Sequence, residues 1–384
     1  MRVAVVTPDW PAFEGGGVAA LSRTLAEALA DAGDEIEVWT RGGGARARRL
    51  RGEAGSVPVI GFPGRAWARR GQHHWGPALE SAAARFRPDA VISMTWEPLG
   101  GGWRFDGGPL WVFAHGRDIT GDLDAARGEA RRRVLRADLG WMCLTRWMRS
   151  ELLARGASNV AVVPAAVPTV SSSPRRPDGV RANRPLRALS VGRLIPRKGQ
   201  DVTIAAVRRL GGRVELRILG EGPDRGRLEV LAAGCPWIRF DGWASEADLE
   251  SAWADADAFV MPARTEPGGD SEGYGLVFLE AGLRGLPVIG GRSGGVVEAV
   301  RHDRTGLLVD DPSDPAGVAA ALASLAEDGA LVARLGAAGR EVALADHTPA
   351  RLAAAVRRNL RAPRVLHDPE PGRLPDAAPE GAHP

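Results

Sequence analysis

The chain has 384 residues, 44% of them hydrophobic and 25% charged, with a net charge of only +3. That length suits two ordinary cores, and no apolar run reaches the roughly 18 residues that a membrane span needs. So weak a charge speaks for no nucleic-acid partner, and the two cysteines, Cys143 and Cys235, lie too far apart in sequence to make a metal or redox motif.

The elements alternate from the start. "RVAVVTP" predicts a strand, "DWPAFEGGG" is turn chemistry, and "VAALSRTLAEALADAG" carries apolar residues at helical spacing up to Gly33. "DEIEVWT" is the next strand, so the chain opens as a right-handed βαβ unit. The N-terminus lacks the apolar core of a signal peptide, and a cytoplasmic location is expected. Short apolar runs follow at 89–94, 110–116, 139–145 and 160–167, with helical stretches between several of them. Residues 1–168 read as one Rossmann-like domain.

Two basic segments, 41–52 and 65–75, fall within this domain. Arg46, Arg48, Arg49 and Arg51 cluster in the first, and Trp67 and Trp75 flank Arg69 and Arg70 in the second. Solvated loops are one reading, in a chain that uses arginine almost exclusively over lysine. Peripheral contact with an anionic membrane is the other.

Residues 169–185 are rich in proline, serine and arginine and read as a linker. A second βα series spans 186–348. Its strands are expected at 186–194, 214–222, 238–243, 258–264 and "PVIGG", followed by the hairpin-like "RHDRTGLLVDDPSD". Helices are expected at 201–210, 225–233, 247–254, from Leu276, over "PAGVAAALASLAED", and last over 349–362, packing back on the first domain. The Pro-rich tail 363–384 predicts disorder.

The fold class is therefore α/β: two Rossmann-like βαβ domains facing a central cleft. In such sheets ligands bind outside the carboxyl ends of the strands, so the loops after strands carry the candidate chemistry. Gly16 and Gly17 open the first helix and let backbone amides approach an anion. The loop lacks G-x-G-x-x-G spacing, and the second strand ends without an acidic residue, which weakens a dinucleotide reading. His115, in "HGRD", follows a buried strand and faces the cleft. Arg193 and Lys198, in "GRLIPRKG", place two cations on one loop, which suits a diphosphate.

"EGYGLVFLEAGLRGLPVIGG" completes the site. Gly273, Tyr274 and Gly275 form a turn, and a helix begins near Leu276 with its amides open to a phosphate. Glu280 lies about 6 Å further along the axis, a reach that suits the diol of a ribose. Glu272 lies on the other side of the phosphate, where it can accept hydrogen bonds from sugar hydroxyls.

In order and spacing, "GRLIPRKG", "LRILGEGP", "IRFDGW", "AFVMPA", "EGYGLVFLEAGLRGLPVIGGRSGGVVEAV" and "TGLLV" resemble the family 4 glycosyltransferases, retaining enzymes of the GT-B fold. The resemblance implies that Arg193 and Lys198 hold the donor diphosphate and Glu280 the ribose. It further implies that Glu272 meets donor-sugar hydroxyls, His115 the reaction centre, and Gly16 and Gly17 the donor or acceptor. No metal and no cofactor beyond the nucleotide-sugar substrate is implied. The chain departs from many relatives at Ala165 and Ala166, where an asparagine and a glycine are common. Within the family the sequence resembles the group that includes phosphatidylinositol mannosyltransferases and natural-product glycosyltransferases. The expected reaction moves a hexose to an acceptor hydroxyl. A small-molecule acceptor is placed ahead of a membrane lipid, and a catalytically idle partner subunit is the alternative of another class. Nucleobase contacts are expected near Gly242 and Trp243.

Overall fold

The computed structural model describes residues 1–8, 10, 16–41, 57–62, 75–168 and 184–362, and the backbone of 48–50. The greater part of both basic segments, residues 169–183 of the linker, and the tail from 363 lie outside the described residues.

Two sheets hold the described chain. The first contains β1 (Arg2–Thr7), β2 (Glu35–Arg41), β3 (Arg48–Leu50), β4 (Val59–Phe62), β5 (Ala90–Ser93), β6 (Leu110–Ala114), β7 (Gly140–Cys143) and β8 (Asn159–Val162). Their order is β3-β4-β2-β1-β5-β6-β7-β8, all parallel except the β3–β4 pair. The helices between them are α1 (Gly17–Asp31), α2 (Gly76–Phe86), α3 (Arg117–Thr120), α4 (Ala125–Leu135) and α5 (Arg146–Ala154). Strands β5, β6 and β7 are buried at every residue, the pattern of a parallel sheet covered on both faces.

The second sheet contains β9 (Leu186–Val191), β10 (Val214–Leu219), β11 (Ile238–Gly242), β12 (Ala258–Met261), β13 (Val288–Gly291) and β14 (Gly306–Val309). Their order is β11-β10-β9-β12-β13-β14, all parallel. Its helices are α6 (Gln200–Leu210), α7 (Arg225–Ala232), α8 (Glu246–Asp255), α9 (Leu276–Leu283), α10 (Val296–Ala299), α11 (Pro315–Glu327) and α12 (Gly329–Asp346), with α13 (Pro349–Arg361) last. The hairpin expected around 301–314 is absent: Asp303 turns the chain at φ 58°, but β14 then pairs parallel to β13. The 18-residue α12 has no counterpart among the sequence expectations. Its alanines and glycines give little contrast between faces, which is where periodicity loses its signal.

Strand order reverses between β9 and β12, so the loops after these strands meet at a topological switch point. Those loops carry Arg193–Lys198 and Glu272.

The last helix belongs to the first domain's core. Leu352, Val356 and Leu360, spaced i, i+4, i+8, pack in one cluster with Leu21, Leu25 and Leu29 of α1. Arg357 adds a hydrogen bond to the Ala32 carbonyl at 2.8 Å and an ion pair with the fully buried Asp34 at 3.2 Å. At the turn into α13, His347 Nδ1 donates to the Ala165 carbonyl at 3.0 Å, joining the two places where the chain passes between domains. Ala165 and Ala166 are buried there. Trp75 does not face a headgroup region; it is buried, edge-on to Phe62 at 6.0 Å.

Candidate active site

The two domains meet at the carboxyl ends of their sheets. Gly116, after β6, pairs with Glu272 as an isolated antiparallel bridge. A Cβ on Gly273 would come within 1.6 Å of the His115 carbonyl, so no other residue allows this backbone approach. Thr145 Oγ1 donates to the Gly273 carbonyl at 3.2 Å. The backbone N–H groups of Arg146 and Trp147, at the start of α5, donate to the Glu298 carboxylate at 3.0 and 2.9 Å. An acidic group at a helix N-terminus is favourable, and here it comes from the opposite domain.

Lys198 and Glu272 meet directly. Lys198 Nζ and Arg197 Nη1 each donate to Glu272 Oε2 at 2.6 Å. The Glu272 side chain is 12% exposed. Burial alone would push its carboxyl up; Lys198 and Arg197 outweigh it and hold the group below the usual carboxylate range. Arg197 also stands 3.0 Å from Asp270, and Asp270 faces Arg117 of the first domain at 4.0 Å. Arg193 is exposed and meets no acceptor side chain among the described residues.

Gly275 adopts φ 84° and caps α9 with no side chain in the role. The amides of Tyr274, Gly275 and Leu276 therefore lie at an uncapped helix start, without intrahelical partners. Glu280, one turn inside, has no hydrogen-bond partner for its carboxylate among the described residues; burial pushes its pKa up. Arg284, one turn further, donates to the Glu280 carbonyl at 2.9 Å and lies over the Trp253 ring at 5.3 Å.

His115 is fixed by its neighbours. Its Nε2 lies 2.5 Å from the Met94 carbonyl, which can only accept, so Nε2 carries a proton, and in the neutral ring Nδ1 is the acceptor. Asp118 accepts from the backbone N–H of His115 and Gly116 at 3.0 and 2.8 Å and holds the loop. Gly16 and Gly17 stand exposed at the start of α1, with open space where a Cβ would be. Gly242 turns at φ 70°, and Trp243 beside it is 72% exposed.

The structure thus brings Lys198, Glu272 and the His115–Gly116 loop together, with Glu280 one turn along α9. Sequence reasoning passed over Arg197, Asp270, Thr145 and Glu298. Arg197 was visible as the third cation of "GRLIPRKG"; the others make contacts between domains, which no local pattern announces. Lys198 is the only lysine in the chain, and Tyr274 the only tyrosine. Among the described residues no three His, Cys, Asp or Glu side chains converge as a metal site.

Two facing Rossmann-like domains of this kind define the GT-B fold. Two family models divide the chain between them: "Glycosyltransferase Family 4" matches residues 15–170, and "Glycosyl transferases group 1" matches residues 174–342. The chain belongs to this glycosyltransferase family.

Similar proteins agree. A GDP-mannose-dependent alpha-(1-6)-phosphatidylinositol monomannoside mannosyltransferase of Mycobacterium tuberculosis is 44% identical over 158 residues. That match covers 39% of this chain and 41% of the relative, so the chain spans about two fifths of that relative's length. The colanic acid biosynthesis glycosyltransferase WcaL of Escherichia coli, itself a putative assignment, is 30% identical over 263 residues, 66% of this chain and 60% of that one. Among solved structures, sucrose-phosphate synthase from Thermosynechococcus elongatus superposes with a TM-score of 0.78 at 21% identity, over 94% of this chain and 98% of that one. HepE of Anabaena in complex with UDP and glucose superposes at 0.73 with 18% identity, over 93% and 98%. At these identities the structures attest the fold.

Proposed function

We propose that this protein is a retaining hexosyltransferase that moves a sugar from a nucleotide-sugar to an acceptor hydroxyl without a metal. One observation carries the reading: a paired cation set, Lys198 and Arg197, beside an uncapped helix start, with the unpartnered carboxylate of Glu280 one turn further. The cations and amides suit a diphosphate, and the carboxylate suits a ribose diol.

In the proposed reaction the bond from the sugar's anomeric carbon to the diphosphate oxygen breaks as the acceptor oxygen bonds to the same face. The acceptor proton passes to the departing phosphate. Lys198, Arg193 and the amides at the start of α9 stabilise the negative charge that develops there. Glu272 and the Nδ1 of His115 accept hydrogen bonds from sugar hydroxyls. Parting and closing of the domains admits the donor and excludes water.

GDP-mannose is the first donor to test, because the mycobacterial relative is named for it. That name also favours a second reading of the acceptor, a glycolipid in place of a small molecule. Mannose release from GDP-mannose, compared with glucose release from UDP-glucose, decides the donor. Transfer to phosphatidylinositol mannoside in vesicles, against soluble polyols, decides the acceptor. No turnover and no binding of either nucleotide would leave the idle-subunit reading.

A further inference from the structure

Arg197 and Lys198 are neighbours in sequence and donate to one oxygen, Glu272 Oε2, at the same 2.6 Å. Both side chains are 14% exposed. Their remaining surroundings differ. The guanidinium of Arg197 has a second carboxylate beside it: its Nε lies 3.0 Å from Asp270 Oδ1, an ion pair without hydrogen-bond geometry. Lys198 has no second carboxylate at ion-pair distance among the described residues. It is also the one lysine among the chain's 50 basic side chains.

The two side chains have different chemistry. A guanidinium is a planar fork that suits fixed, two-sided pairing; an ammonium is a compact charge on a flexible stem with three rotatable donors. A cation that must leave one anion for another is better made as an ammonium. The carboxylate it leaves is almost buried, and a buried charge without a partner is costly.

We propose that Arg197 is a positioning residue: anchored by Asp270, it keeps Glu272 neutralised and in place while Lys198 leaves that carboxylate for the donor diphosphate. The proposal rests on the donor site described above. It makes Arg197 act on phosphate binding only through Glu272.

That dependence is measurable with GDP as the probe, by titration calorimetry on the full chain at fixed salt. Arg197→Ala is expected to weaken GDP binding at least about tenfold in the native background, because it leaves a nearly buried charge unpaired once Lys198 departs. In a Glu272→Gln background the same change should cost less than about twofold, because the carboxylate it served is neutral. Arg197→Lys should restore most of the affinity. Lys198→Ala should cost more in the Glu272→Gln background, where the ammonium has no carboxylate to leave before it meets phosphate. Equal losses for Arg197→Ala in both backgrounds would make Arg197 a direct phosphate ligand and overturn the proposal; so would no loss in the native background. If Arg197→Ala fails to fold by thermal melt, Asp270→Asn takes its place, with the same dependence on background expected. Failure of the unaltered protein to bind either GDP or UDP is a separate outcome, which removes the donor-site reading and this inference with it.

Discussion

Lys198 Nζ lies 2.6 Å from Glu272 Oε2, so a cation and a carboxylate 74 residues apart neutralise each other at the switch point of the second sheet. In the proposed donor site a diphosphate would need the cation and a sugar the carboxylate. The two charges therefore compensate each other, and a donor bound as proposed would have to exchange phosphate for carboxylate on the ammonium.

The single lysine makes this pair directly observable. The described amines are Lys198 and the Met1 terminus, itself 2.9 Å from Asp34. Acetylation by an amine-selective ester, followed by peptide mapping, should label Lys198 slowly. Glu272→Gln should speed that labelling several-fold, and GDP should slow it. Labelling at one rate in all three conditions would mean that neither the carboxylate nor the nucleotide engages Lys198.

Glu280→Ala should weaken binding of free nucleoside diphosphate by about 1.5–3 kcal/mol, the value of a hydrogen bond to a charged group. Free nucleotide and nucleotide-sugar should lose affinity alike, since the ribose is common to both. An unchanged dissociation constant in a folded variant would remove Glu280 from the ribose site.

Lys198→Ala should lower the turnover number as well as affinity, because the charge it meets grows in the transition state. Added magnesium should not restore turnover, and a chelator should not abolish the activity of the unaltered protein. Either result reversed would point to metal-assisted chemistry.

Glu272 and Glu280 should affect stability with opposite sign. Burial raises the Glu280 pKa, so the folded state holds this proton more tightly than the unfolded state. Its ionisation costs stability above the folded value, and the cost vanishes as pH falls below the unfolded value of about 4.3. Lys198 and Arg197 more than offset the burial that would raise Glu272. Its contribution is therefore present above the unfolded value and is lost as pH falls through the folded one. At pH 7, without ligand, Glu280→Gln should raise Tm and Glu272→Gln should lower it, each by about 1–4 °C. Calorimetric scans should show the Glu280 difference shrinking as pH falls from about 7 towards about 4, and the Glu272 difference holding down to about the unfolded value and shrinking only below it.

Much of the architecture was legible because parallel strands buried on both faces are short apolar runs, as in "VAVV", "LWVFA" and "AFVM". The loops after them followed from the rule that chemistry sits at strand carboxyl ends. Helix α12 escaped because alanine and glycine on both faces blur its period. The turn at Asp303 looked like a hairpin because local turn chemistry does not encode whether the next strand is parallel. Trp75 looked interfacial beside arginines, yet its ring fills the core against Phe62. The pairing of Lys198 with Glu272 was hidden for a different reason. Each residue was read for the ligand it would meet, and what the two do to each other without one is a property of the folded site alone.

The apolar stripe of α13 has a consequence for how the protein is made. Leu21, Leu25 and Leu29 share their cluster with Leu352, Val356 and Leu360, which the ribosome adds more than 300 residues later. At about 5–20 residues per second this delay is roughly 15 to 60 s. During that interval the opening βαβ unit must wait with the α13-facing side of α1 uncovered, while the second domain, whose strands and helices are consecutive, can already close. The half of the molecule translated first is thus the half finished last, and chaperone capture during synthesis is expected to fall on α1.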